Sequence, residues 1–87
     1  MKRYTVVWVK SATDDLAIFW MRAAEKQAIT DSADLADKFL AIDPAAKSDY
    51  LSEDLRGVTV GLLRQYFKIH EEDRKVEILY VKRIVRQ

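Results

Sequence analysis

The sequence predicts an α+β domain with the element order β-α-α-β-β-β. Tyr4 to Val9, Leu55 to Val60, Leu63 to Ile69 and Val76 to Val85 are runs rich in β-branched and aromatic residues, and each reads as a strand. Between the first and second runs, apolar residues recur at helical spacing, first from Leu16 to Ala24 and then, in a different phase, from Ala28 to Leu40. The 87 residues are 49% apolar with only two Gly and one Pro, so residues 1–87 form a single domain with a modest core, and a disordered tail or linker is excluded.

The elements follow in order. Ser11 or Thr13 offers an N-cap for the first helix, and Asp14 and Asp15 then place negative charge where the backbone dipole favours it. Leu16, Phe19, Trp20, Ala23 and Ala24 form its apolar face, which makes Trp20, like Trp8 on the first strand, a core residue. Extending that stripe reaches Gln27, Asp31, Asp34 and Lys38, all polar. The phase slips between residues 24 and 28, so two helices meet in a tight turn and pack as an αα-hairpin. Pro44 closes the second helix, because the residue before a proline is driven from helical angles. Residues 44–54 lack periodicity and read as a surface loop, and Gly61 marks a turn or bulge.

The last two strands join across Glu71-Glu72-Asp73-Arg74. If His70 and Lys75 flank that four-residue loop, Lys68 faces Glu77, Phe67 faces Ile78 and Ile69 faces Val76. Phe67, Ile69, Val76 and Ile78 then share the face that the helices cover. The opposite face carries Arg64, Tyr66, Lys68, His70, Glu77, Leu79, Val81 and Arg83, and functional groups converge there. Lys68 and Glu77 read as a cross-strand ion pair.

Charge and composition exclude several classes. Fifteen Lys+Arg against 14 Asp+Glu leave a net charge of +1, which excludes a strongly basic nucleic-acid wrapper. With no Cys and one His, there is no disulfide framework, no thiolate chemistry and no metal site, and no cofactor motif is present. The longest apolar run, Leu16 to Met21, falls far short of the ~20 residues that span a bilayer, so no membrane role is expected and a cytoplasmic location is. Lys82, Arg83 and Arg86 form the densest basic cluster, suited either to guarding a sheet edge or to meeting an acidic partner.

The element order, together with Leu55-Arg56-Gly57-Val58-Thr59-Val60-Gly61-Leu62-Leu63-Arg64-Gln65-Tyr66-Phe67-Lys68-Ile69, the acidic hairpin and the final strand, resembles the RelE/ParE toxin superfamily of type II toxin–antitoxin (plasmid-stabilisation) modules. The likeness covers nearly the whole chain and is closer to the ParE-like pattern. It implies a small, mostly antiparallel sheet with the αα-hairpin on one face, and a toxin that a cognate antitoxin neutralises. It also implies an essential target, either DNA gyrase or ribosome-bound messenger RNA. Arg64 falls on the family's strand arginine, which in the nucleases stabilises the reacting phosphate, a role that suits a permanently charged, bidentate guanidinium.

The resemblance makes Arg64 and Arg83 candidate catalytic residues; Tyr66 joins them because it shares the face of Arg64, and Arg56, Lys68, His70, Lys82 and Arg86 are the candidate binding residues. The lysines that nuclease members carry on the second strand are replaced here by Val58, Thr59 and Val60, and no tyrosine or histidine follows the last strand. These departures tilt the sequence towards a non-nuclease toxin. The alternatives are an mRNA endoribonuclease centred on Arg64 or an inactive relative that only binds. An exposed edge strand is compatible with a homodimer.

Overall fold

The computed structural model describes residues 3–84. It contains β1 (Thr5–Trp8), α1 (Lys10–Arg22), α2 (Lys26–Leu40), β2 (Asp49–Ser52), β3 (Leu55–Val60), β4 (Leu63–His70) and β5 (Lys75–Arg83). The strands form one sheet in the order β1-β5-β4-β3-β2. β1 runs parallel to β5, and every other neighbouring pair is antiparallel. The helical hairpin covers one face of this sheet, and the other face is open.

Helix α1 starts earlier than its polar residues suggest. The Val9 N–H still donates to Ile78 O (3.1 Å), and the helix begins at the next residue, with Val9 at the N-cap and no side-chain cap. Ser11 instead donates to Leu79 O (3.3 Å), and Thr13 to Val9 O (3.3 Å). Asp14 therefore lies beyond the first turn and pairs with Lys10 (2.9 Å). The stripe facing the sheet is Ala12, Leu16, Phe19 and Ala23, which leaves Trp20 at its margin, 43% exposed and under the Lys26 ammonium (5.1 Å). Trp8 is half-buried, and its indole N–H donates to Asp37 Oδ1 (2.7 Å), tying α2 to β1.

Helix α2 packs through Ile29, Ala33, Ala36 and Leu40, while Leu35 faces solvent. Its Ser32 hydroxyl donates to Ala28 O (2.7 Å) and accepts from Leu62 N (3.0 Å), docking the helix on the β3–β4 turn. Gly61 in that turn has φ +59°, and a Cβ there would strike Ser32, so glycine is required on both counts.

Residues 49–52 are not loop. They form β2, an edge strand paired with β3 and irregular between Tyr50 and Ser52. All four residues are exposed, so no buried face imposed an alternation that the sequence could display.

The β4–β5 hairpin keeps the expected pairs Lys68↔Glu77, Phe67↔Ile78 and Ile69↔Val76. The next pair is Tyr66↔Tyr80, which leaves Leu79 as an extra, bulged residue. Beyond the bulge, β5 is therefore one residue out of the regular register. Val81 is buried opposite Gln65, and Arg83 lies opposite buried Leu63, so both belong to the helix-covered side and not to the open face. Tyr80 and Lys82 take the open positions.

The core gathers Phe67, Leu63, Val76, Ile78, Val58 and Val81 of the sheet under Ile29, Ala36 and Leu40. Gln65 lies among them, fully buried, and neither its side-chain nitrogen nor its oxygen is hydrogen-bonded to a partner among the described residues.

Candidate functional site on the open sheet face

Two rows of residues cross the open face in register. One runs Asp49, Gly57, Tyr66, Tyr80 over four strands, and its neighbour runs Thr59, Arg64, Lys82 over three. Strand periodicity places every second residue of β3 and β4 on this face, and the bulge at Leu79 brings the end of β5 into phase with them.

Arg64 is the centre of the cluster. Its side chain is only 20% exposed, and Nη1 donates to Thr59 Oγ1 (3.3 Å) and lies 3.7 Å from Asp49 Oδ2. The guanidinium carbon is 5.5 Å from the centre of the Tyr66 ring, within cation–π range. Gly57 forms the floor, since a Cβ there would come within 2.6 Å of Arg64 Nη2. The absence of a side chain at Gly57 lets the planar group lie flat against the sheet. Tyr66 and Tyr80 stack beside it with ring centres 5.0 Å apart and planes tilted by 33°. Lys82, exposed, is the cross-strand neighbour of Arg64.

The remaining candidates are elsewhere. His70 is six residues along an extended strand from Arg64, roughly 20 Å away, and its Nε2 is 3.1 Å from Glu77 Oε1. Glu77 thus pairs with His70 and not with Lys68, which has no carboxylate within 4.0 Å among the described residues. Lys68 is the nearer of the two, at roughly 13 Å along the strand. Arg56 pairs in register with Phe67 and so belongs to the helix-covered side, where Nη1 donates to Ala45 O (3.2 Å) and the group packs over Tyr50 (5.7 Å). Arg83 lines a cavity of about 320 Å³ with Phe19 and Arg22 on that same side. Arg86 lies outside the described residues. Tyr80, Asp49, Gly57 and Thr59 join the site without having been singled out by sequence. Of these, Gly57 alone carried a signal, as a glycine inside a strand.

Among the described residues no group of three or more His, Asp or Glu side chains is placed to hold a metal ion. No helix there is long and apolar enough to cross a membrane. A second surface lies on the far side of the molecule, where Leu16, Trp20, Met21, Ile29 and Ala33 line an apolar groove of about 380 Å³ between α1 and α2.

No family model matches the sequence, and no curated protein matches it significantly. Solved structures do match in three dimensions. A chain of the toxin–antitoxin complex RelBE2 from Mycobacterium tuberculosis superposes with a TM-score of 0.79 at 22% identity, over 95% of this chain and 93% of that one. A chain of the chromosomal ParDE toxin–antitoxin system from P. aeruginosa gives 0.72 at 15% identity, over 98% and 100%. The isolated E. coli RelE toxin gives 0.59 at 13% identity, over 97% and 87%. Two helices on one face of a mixed, mainly antiparallel sheet are therefore the fold that this chain shares with those structures.

Proposed function

We propose that the chain is the toxin of a type II toxin–antitoxin module, neutralised by a cognate antitoxin, and that its open face acts on messenger RNA at the ribosome. The observation that carries this reading is the pairing of Arg64 with Lys82 across β4 and β5, beside the stacked Tyr66 and Tyr80. Two cations beside two aromatic rings suit a single-stranded nucleic acid, whose phosphates need positive charge and whose bases stack on π-faces. The shared fold supports the toxin role.

In such a reaction the RNA 2′-oxygen attacks the adjacent phosphorus and the 5′-oxygen departs. Arg64 and Lys82 stabilise the negative charge that builds on the phosphate oxygens. The Tyr66 and Tyr80 hydroxyls are the proton-exchanging groups beside them, and His70 is too distant to take part. The test is to map new 5′ ends on message in a reconstituted translation reaction. Cuts confined to ribosome-bound message and lost in Arg64→Ala are expected. No cuts from well-folded protein would overturn the enzyme reading.

A second reading, inhibition of DNA gyrase without chemistry, draws on the apolar groove of the helical hairpin, where Trp20 and Met21 are exposed as in surfaces that bind proteins. On that reading supercoiling is inhibited by the parent and by Arg64→Ala alike, and is relieved by Trp20→Ala.

A further inference from the structure

Arg64 is placed with care and bonded weakly. Of its five N–H donors, one reaches Thr59 at 3.3 Å, and the Asp49 carboxylate at 3.7 Å is beyond direct hydrogen-bond distance. The group is nonetheless held in one place, flat on Gly57 and against Tyr66. Its carboxylate neighbour comes from β2, an edge strand whose four residues are all exposed and whose pairing is broken between Tyr50 and Ser52. The Asp49 side chain is itself 78% exposed. A well-positioned cation is thus screened by an anion on the least anchored strand of the sheet.

We propose that Asp49 is a built-in counter-ion that competes with phosphate for Arg64, so that it sets how readily the open face accepts RNA. This rests on the reading of that face as the RNA-binding surface. A phosphodiester offers the guanidinium two oxygens in a geometry that Asp49 at 3.7 Å does not match, so a bound phosphate replaces a loose ion pair with a close one. The displaced carboxylate stays nearby and keeps competing for the same guanidinium. Phosphate alone is therefore held poorly, and retention requires the further contacts of Lys82 and of stacking on Tyr66 and Tyr80. Asp49 makes the site selective for an extended strand over free phosphate.

The experiment is fluorescence anisotropy with a short fluorescein-labelled single-stranded RNA. It uses the full chain, Asp49→Asn, Arg64→Gln, the double variant, and Asp73→Asn as an exposed-carboxylate control in the β4–β5 loop. Asp49→Asn is expected to tighten binding roughly threefold, the effect of removing one exposed charge partner. Arg64→Gln is expected to weaken it about tenfold, as loss of charge-assisted bonds does. In the Arg64→Gln background Asp49→Asn should have no further effect, and Asp73→Asn none in either. Equal tightening by Asp49→Asn with and without Arg64 would reduce Asp49 to general charge and overturn the proposal. Weaker binding by Asp49→Asn would do the same, since it would make Asp49 an orienting group. If Arg64→Gln binds as tightly as the parent, the open-face reading itself fails, a different result from either. Thermal melts of each variant separate loss of binding from loss of fold.

Discussion

The two faces of the sheet are built from alternate residues of the same strands, yet they obey different rules. On the helix-covered face, Leu63, Phe67, Val76, Ile78 and Val81 are almost wholly buried, and what matters there is volume and the absence of polar atoms. On the open face, Arg64, Tyr66, Tyr80 and Lys82 keep part of their surface in water, and what matters is charge and direction. Neighbours in sequence therefore differ sharply in what a substitution does. Phe67 and Tyr66 are adjacent, but one holds the fold and the other lies on the open face.

The largest expected contrast is at that pair. Phe67→Ala should cost about 3–5 kcal/mol, as the loss of a fully buried aromatic does, whereas Tyr66→Ala, on the half-exposed face, should cost well under half as much. Urea unfolding monitored by circular dichroism measures both, and similar losses would mean that the open face is part of the core.

Gln65 breaks the rule of its own face, being buried with no partner for its amide among the described residues. Gln65→Met, similar in shape, should raise stability by about 1–3 kcal/mol, and a loss on thermal melting would show that the amide is satisfied in solution.

Gly57→Ala tests the other rule. The nearest atoms to the new methyl belong to the flexible end of Arg64, so stability should move by less than about 1 kcal/mol, but the guanidinium is lifted off its floor. Expected is a normal melting curve with RNA binding or cleavage impaired towards the Arg64→Ala level, and unimpaired activity would detach Gly57 from the site.

The smallest effect concerns Asp37, between α2 and β1. Burial is the main cause that raises its carboxyl above the ordinary range, Asp34 adds to it, and the Trp8 hydrogen bond opposes both. A carboxyl raised in the folded state holds its proton more tightly there, so its contribution to stability is greatest at low pH and declines as pH rises from the unfolded value through the folded one. Asp37→Asn, which keeps an acceptor for Trp8, should flatten that slope in melts run across the acidic range, and an unchanged slope would count against the assignment.

Most of the architecture was legible because it rests on local signals. The slip of apolar phase near residues 24–28 located the break between α1 and α2, and the four-residue loop after His70 set the β4–β5 register as far as Phe67. What was hidden depends on contacts distant in sequence. β2 has no buried side to leave a pattern, and α1 starts where β1 leaves the sheet instead of where a capping side chain stands. Arg64 and Tyr66 could be placed on the open face by alternation alone. Asp49, Thr59 and Gly57 could not be joined to them, because their meeting depends on how β2 and β3 line up beside β4. Arg83 went to the wrong side for a different reason: the Leu79 bulge shifts the end of β5 by one residue, and no local signal in the sequence announces it.

Leu79 is a residue of length without a place in the ladder. A chain lacking it could pair Tyr80 with Tyr66 and Lys82 with Arg64 all the same, so two such proteins would present matching surfaces while their sequences ran one letter apart from that point on. At the end of β5, equivalence is a matter of position in the sheet and not of count along the chain, and Lys82, which regular alternation would turn to the covered face, stands beside Arg64 in the fold.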